Sequence, residues 1–459
     1  MAASDRRPEQ RDIAYHLHPN TDLSAHETLG PHIITAGEGI FVQDSAGRTL
    51  IEGMSGLWCA SLGFGERRLI DAACRQFETL SYNHNFAHRS SPVLIDLAEK
   101  LVGLAPAALT RAFFVGSGSE ANETIVKILW HYNNVLGRPA KKKIIARRWA
   151  YHGSTIVASS LSGMPGMHRL YDLPVDRILH VDAPHFYGNG REGETEEQYA
   201  DRLAAELEDL ILAEGPGTVA AFFAEPIMGA GGVFLPPRTY FEKVQAILHK
   251  HDILFVVDEV ITGFGRTGEW FGSDLYGLQP DLMSVAKGLS SAYQPIGAVL
   301  LSDRVYDTLA DGSRATGYFA NGFTNGGHPV AAAVALEAIR IYEERGILDH
   351  VRTVGRRFLE RLAGLEKNHE IVGNARGIGL IGAVELVEQR RPLQKFHPSR
   401  KIAAAVVKAA IDEGLILRAL PNDVVAICPP LIITQEQIDM LFDRLERALE
   451  AGSRAAAGA

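Results

Sequence analysis

A lysine and an acid 29 residues apart offer the most distinctive chemistry in the chain. Lys287 stands between two apolar stretches in "LMSVAKGLSSAYQPIGAVLLS", followed by glycine and small residues. An amine stripped of water loses its proton readily and can attack a carbonyl carbon. Asp258 ends a run of five apolar residues in "ILFVVDEVITGFGRTG", where an ionised carboxylate needs hydrogen bonds or a cation. Each also has an ordinary reading: a lysine with its head group in water, or an acid capping a strand end. A magnesium-ordering Walker acid is a third reading for Asp258. It needs a G-x-x-x-x-G-K-[ST] loop, and no Gly-Lys pair occurs in the sequence.

Two further stretches could hold a ligand. In "VGSGSEANETIVKILWHYNNVLG" a strand ends in a small turn that opens a helix with apolar Ile125, Ile128, Leu129 and Tyr132. Ser119 with Asn122 fits an N-cap arrangement. A turn this small leaves backbone N–H groups free at the positive helix end, which makes an anion site. In "RWAYHGSTI", Tyr151 at a strand end, before His152 and Gly153, could lay its ring on a flat ligand.

The elements that would position these residues alternate. From about Leu69 to Leu336, short apolar runs such as "RAFFVGSGS", "KKIIARRW", "VAAFFAEPI", "ILFVVDEVI", "DLMSVAKG" and "IGAVLLS" are separated by amphipathic helices. That pattern predicts an α/β fold whose mostly parallel sheet is covered on both faces, with ligands at the carboxyl ends of the strands. After about Pro329 long helices dominate, interrupted by the strand segments "GIGLIGAVELV" and "LILRALPNDVVAICPP". The expected organisation is a large domain over 61–328 and a smaller α+β domain over 329–459. Residues 1–60 would contribute to the small domain and the site.

Anion turn, stacking aromatic, strand-end acid and lysine, in that order, resemble the pyridoxal-phosphate enzymes of fold type I, specifically the class III aminotransferases. The resemblance covers nearly the whole chain and is carried above all by "FVVDEVITGFGRTG" followed by "AKG". It implies that Lys287 is the Schiff-base lysine and the proton carrier, and that Asp258 pairs with the pyridinium nitrogen. Val260 and Tyr151 would flank the cofactor ring, Gly118 and Ser119 would bind its phosphate, and His152 and Glu225 would complete the site. Thr324 in "NGFTNGGHP" would reach the neighbouring subunit's phosphate, with Phe323 beside it among the cofactor-binding residues, which implies a homodimer with active sites at the subunit interface.

"HLHPNTD", "GLWCASLGFG" and "LRALPNDVVAICPPL" look most like the amine or omega-amino acid:pyruvate aminotransferases. By position, Leu57, Trp58, Phe86 and Tyr151 would shape an aromatic pocket for uncharged amine substituents, and Arg418 would clamp the carboxylate of pyruvate. Relatives of the ornithine and 4-aminobutyrate type carry a glutamate at the place of Ala230, and many members have a glutamine at Met228. Asn20 stands where some amine aminotransferases have an aromatic residue. The expected reaction moves an amino group from a primary amine or omega-amino acid to pyruvate. The alternatives are 2-oxoglutarate as acceptor, or an aminomutase.

The formal charge of −9 over 459 residues argues against a nucleic-acid partner, which needs a clustered basic face. Lys141, Lys142 and Lys143 with Arg147 and Arg148 read as solvated rim charge. Three scattered cysteines do not make a disulfide framework, and a reducing, cytoplasmic setting is expected, with no membrane partner. "GIGLIG" matches a dinucleotide fingerprint in letters but runs into a strand, not a helix. His84 and His88 in "HNFAH" lack the glutamate of a zinc protease motif, so no metal role is expected there. His249 and His251 read as a solvated helix end, and "AGSRAAAGA" as a frayed terminus.

Overall fold

The computed structural model describes residues 6–457. Strands β1 (Ile34–Glu38), β2 (Phe41–Asp44) and β3 (Thr49–Glu52) form an antiparallel meander near the N-terminus. A seven-stranded sheet follows, built from β4 (Leu109–Val115), β5 (Lys143–Arg147), β6 (Ile178–Val181), β7 (Val219–Ala224), β8 (Leu254–Asp258), β9 (Leu282–Val285) and β10 (Gly297–Ser302), in the order β4-β10-β9-β8-β7-β5-β6. Strands β6, β5, β7, β8 and β9 are parallel, and β10 runs antiparallel between β9 and β4. A third sheet joins β11 (Val372–Ile378) and β12 (Ile381–Leu386) to β14 (Arg418–Leu420) and β15 (Val424–Ile427). The two residues of β13 (Leu415–Ile416) pair in parallel with β3, tying the two ends of the chain together.

The expected α/β class with a mostly parallel, helix-covered sheet is what the chain adopts. Strand β8 shows why its apolar run is continuous. Alternate residues point to opposite faces, so Leu254 and Val256 join Ile125, Leu129 and Val299 on one side. Phe255 and Val257 join Leu203, Leu207 and Val244 on the other. Both faces are dry. Each such side chain contributes roughly 1.5–3 kcal/mol of burial free energy, and a charge inside the strand would have no water to meet. The first charge comes at its carboxyl end, Asp258.

Several local expectations change. Strand β6 and the β1–β3 meander were not among the expected strands. They are short, and the latter depends on the distant β13. Lys141 and Lys142 are buried, not rim residues: their ammonium groups donate to the carbonyls of Asp252 and Trp130, each at 2.7 Å. Arg147 is fully buried and donates to the Glu225 carbonyl at 2.6 Å. His249 is exposed, but His251 is tucked against Glu208 at 2.8 Å. The C-terminal segment is helical, Gln435–Ala457, not frayed; the last two residues of "AGSRAAAGA" lie outside the described residues. "GIGLIG" forms the hairpin between β11 and β12. Among the described residues no helix is long and apolar enough to cross a membrane.

Candidate active site

Strand register brings the two leading residues together. Asp258, last in β8, pairs with Ser284 of β9, and Lys287 follows three residues later, just past the carboxyl end of β9. Both line a cavity of about 320 Å³ with Gly118, Ser119, Tyr151 and His152; that size falls within the range of small-ligand sites. Glu225, Val260 and Cys59 also line it.

Asp258 is held from three sides. Asn122 Nδ2 donates to Oδ2 at 2.7 Å, His152 Nδ1 lies 2.8 Å from the same oxygen, and the Val260 N–H donates to Oδ1 at 3.0 Å. A carboxylate only accepts, so the His152 proton sits on Nδ1, and His152 Nε2 has no partner among the described residues. Asn122 also donates to the His152 carbonyl at 2.7 Å. This donor-rich shell fixes the direction in which the buried carboxyl points.

Lys287 has a left-handed backbone (φ 49°) at the start of a short 3-10 turn. Its amine makes no hydrogen bond within the described residues and lies 5.6 Å from the Trp58 ring centroid. Burial lowers its pKa, and the Asp258 charge only partly restores it. An amine in this setting is a nucleophile and a proton carrier.

The helix that opens the anion turn runs over Gly118–Val135, and its N-cap is Ser117, whose hydroxyl accepts from the Glu120 N–H. The Ser119–Asn122 capping expectation is therefore corrected. The helix starts two residues earlier, which frees Ser119 to accept from the Ser154 N–H at 3.1 Å and Asn122 to reach Asp258. The N–H groups of Gly118 and Ser119 have no acceptor among the described residues. The approach is close: a Cβ on Gly153 would sit 2.5 Å from the Ser119 hydroxyl oxygen.

Tyr151 lies four residues beyond the end of β5, in the loop that follows, not at the strand end as expected. Its N–H donates to Glu225 Oε1 at 3.2 Å, and Glu225 Oε2 accepts from Gly229 at 2.9 Å. Burial raises the pKa of Glu225, with the His152 field opposing. Val260 falls just past β8 and would crowd a Cβ on Gly118 at 3.0 Å, so it lines the cavity packed directly against the turn.

Trp58 is buried with a left-handed backbone (φ 58°), and it packs with Ala230, Ile261 and Tyr151. Arg418 opens β14 with its guanidinium carbon 5.0 Å from the Trp58 ring centroid. Leu57 and Phe86 are exposed, as is Thr324, whose carbonyl accepts from the Tyr82 hydroxyl at 3.0 Å. Leu57, Trp58, Phe86, Ala230, Phe323, Thr324 and Arg418 are not on the cavity wall itself; of these, Trp58 comes close to it, its ring centroid 5.6 Å from the Lys287 amine. Met228 packs with Phe234 and Ala150 away from the cavity, and Asn20 is exposed in a turn. His84 accepts from the Phe86 N–H at 3.3 Å, the work of a turn residue. Asn122 had been singled out only as a helix cap. Cys59, Ser290 and Gln294 on the wall had no signal beyond their nearness to Trp58 and Lys287.

Comparison with known proteins gives one consistent result. Residues 23–449 match the family model described as Aminotransferase class-III. Gamma aminobutyrate transaminase 1, mitochondrial, of Solanum lycopersicum is 48% identical over 422 residues, 92% of this chain and 82% of that one. The omega transaminase from Pseudomonas jessenii in complex with PMP is 48% identical, with a TM-score of 0.97 over 98% of this chain and 99% of that one. A transaminase with L-Ala is 50% identical, with a TM-score of 0.89 over 91% and 98% of the two chains.

Proposed function

We propose, since the chain belongs to the class III aminotransferases, that it transfers the amino group of a primary amine or omega-amino acid to pyruvate, giving an aldehyde or ketone and L-alanine. The family's cofactor is pyridoxal phosphate, and the cavity fits it. It offers an amine without a hydrogen-bond partner, a carboxylate backed by two side chains, and unfilled N–H groups at a helix N-terminus. When bound, the cofactor supplies an electron-withdrawing ring that stabilises negative charge on the amine carbon.

The chain's own groups do the rest. Lys287 would hold the cofactor's aldehyde carbon covalently, then carry a proton on Nζ to and from the reacting carbon. Asp258, fixed by Asn122 and His152, would pair with the ring nitrogen. Gly118 and Ser119 would take the phosphate. Tyr151 and Val260 would flank the ring, with Glu225 ordering the Tyr151 loop. Leu57, Trp58 and Phe86 would shape the donor pocket, and Arg418 would receive the acceptor's carboxylate. Phe323 and Thr324 would serve the neighbouring subunit's site in a homodimer, as the family pattern implies.

The observation that carries the acceptor reading is Arg418: a half-buried guanidinium on Trp58 with no carboxylate among the charges acting on it. With Ala230 nearby in the Trp58 cluster, the arginine stays available to a keto acid. A close structural relative holding L-Ala supports the same choice. Relatives described as gamma-aminobutyrate transaminases fall within the donor class named here. The test is the visible absorption of the cofactor-loaded protein. An amine should bleach the band, and pyruvate should restore it with release of alanine. Restoration by 2-oxoglutarate alone would keep the aminotransferase and overturn the acceptor.

A further inference from the structure

We propose that Asp12, His16, His18 and His26 form a divalent-metal site, suited to zinc, that fastens the N-terminal segment. Asp12 lies on the helix Pro8–Tyr15, His16 caps its C-terminus, His18 follows, and His26 lies on the next helix, Leu23–Leu29. All three imidazoles converge on one carboxylate. His16 Nδ1 is 3.2 Å from Asp12 Oδ1, while His18 Nε2 and His26 Nε2 are 2.7 and 3.2 Å from Oδ2.

The imidazoles also crowd one another: the His16 and His18 rings are 4.2 Å apart between centroids, and His18 and His26 are 4.1 Å apart. Three imidazoles on one carboxylate far exceed what a single surface ion pair needs. The ligand atoms of Asp12, His16 and His18 all lie within 4.8 Å of one another. In a tetrahedral zinc site with bonds near 2.0–2.1 Å, neighbouring ligand atoms stand about 3.3 Å apart. The carboxylate–imidazole separations are already close to that edge; His26, outside the three-residue group, reaches the same Asp12 oxygen and must rotate furthest to become the fourth ligand.

The donor set is three nitrogens and one oxygen, with no thiolate. That suits zinc, copper or nickel and disfavours magnesium and calcium. The side chains of His18, His26 and Asp12 are mostly shielded, at 22, 11 and 22% exposure, while His16 is open at 58%. A metal would reach the cluster from the His16 side. Once bound, it would bridge two helices that have no buried residue of their own, and so hold the turn that carries Asn20.

The experiment uses the cofactor-loaded enzyme, treated with a chelator and then titrated with zinc alone. Bound metal per chain and the thermal midpoint are both read. One zinc per chain should bind and raise the midpoint. Asp12→Asn and His18→Ala should each weaken binding by about tenfold or more, while His84→Ala changes nothing. An intact cofactor band in each variant shows that the fold survives. Failure of the wild type to bind zinc would overturn the proposal. So would unchanged stoichiometry and affinity in the Asp12→Asn/His18→Ala double variant.

Discussion

Arg418 rests on Trp58, its guanidinium carbon 5.0 Å from the indole centroid. The ring faces a cation without neutralising it, and burial lowers the arginine's pKa while the Tyr151 phenol opposes that shift. The guanidinium remains a charged fork without a protein carboxylate to occupy it. Replacing Arg418 with alanine should therefore raise the KM for pyruvate by about 10- to 100-fold, the worth of a charge-assisted hydrogen-bond pair. The KM for a hydrophobic amine should stay within about twofold. Steady-state kinetics with both substrates varied checks this, and equal effects on the two constants would remove Arg418 from the acceptor site.

Asn122 is the link between the helix Gly118–Val135 and the acid at the end of β8. Its amide donates both to Asp258 and to the His152 carbonyl. Asn122→Leu keeps the branched shape, in a somewhat larger side chain, but leaves a buried carboxylate one donor short. A loss of about 1–3 kcal/mol in stability is expected, together with weaker cofactor retention at unchanged secondary structure. Thermal melts and cofactor titration of the variant give both numbers. Full retention with native affinity would mean that Asp258 does not need this donor.

The acid, the lysine and the anion turn were legible because they interrupt apolar runs whose both-face burial leaves no room for an idle charge. The same logic failed at Lys141, Lys142 and Arg147. Their long stems let charged heads find backbone carbonyls under the surface, a satisfaction that residue type alone cannot announce. Residue type marks Ser119 as a cap as readily as any serine near a helix start; what decides is that the helix begins at Gly118, which makes Ser117 the cap. The pairing of β3 with β13 joins segments far apart in sequence, and no local pattern encodes it. The Asp12 cluster needs the turn between two helices to bring His26 back to His16 and His18.

Lys287 makes a prediction about the cofactor-free protein. Burial holds its folded pKa below the ordinary lysine value of 10.5. Between the lowered value and 10.5 the unfolded state binds more protons, so this residue's contribution to stability rises with pH over that window. Lys287→Met removes the titration. The cofactor-free variant should melt higher than the cofactor-free wild type at neutral pH, and the gap should narrow as pH approaches 10.5. Catalysis should fall by at least about 10²–10⁴-fold, since a proton carrier is lost along with the nucleophile. A gap that does not change with pH would show that the amine is not the titrating group.

Glu52 closes β3 just before the turn that leads to Trp58, and its Oε1 accepts from the Met54 N–H at 3.0 Å. Burial pushes its pKa from 4.5 up to about 7, against the two backbone donors that favour the charged form. The raised folded value means that the native state holds a proton the unfolded state has already released between about 4.5 and 7. Stability from this group is therefore present at low pH and is lost as pH rises through that window. Glu52→Gln keeps an acceptor for Met54 and removes the charge. The variant should be more stable than the wild type above pH 7, by on the order of 3 kcal/mol at most, and the two should converge near pH 4.5. Denaturant melts at a series of pH values decide it. A wild type whose stability does not fall between those limits would place the Glu52 carboxylate in water, and with it the turn that sets Trp58 beside Lys287 and Arg418.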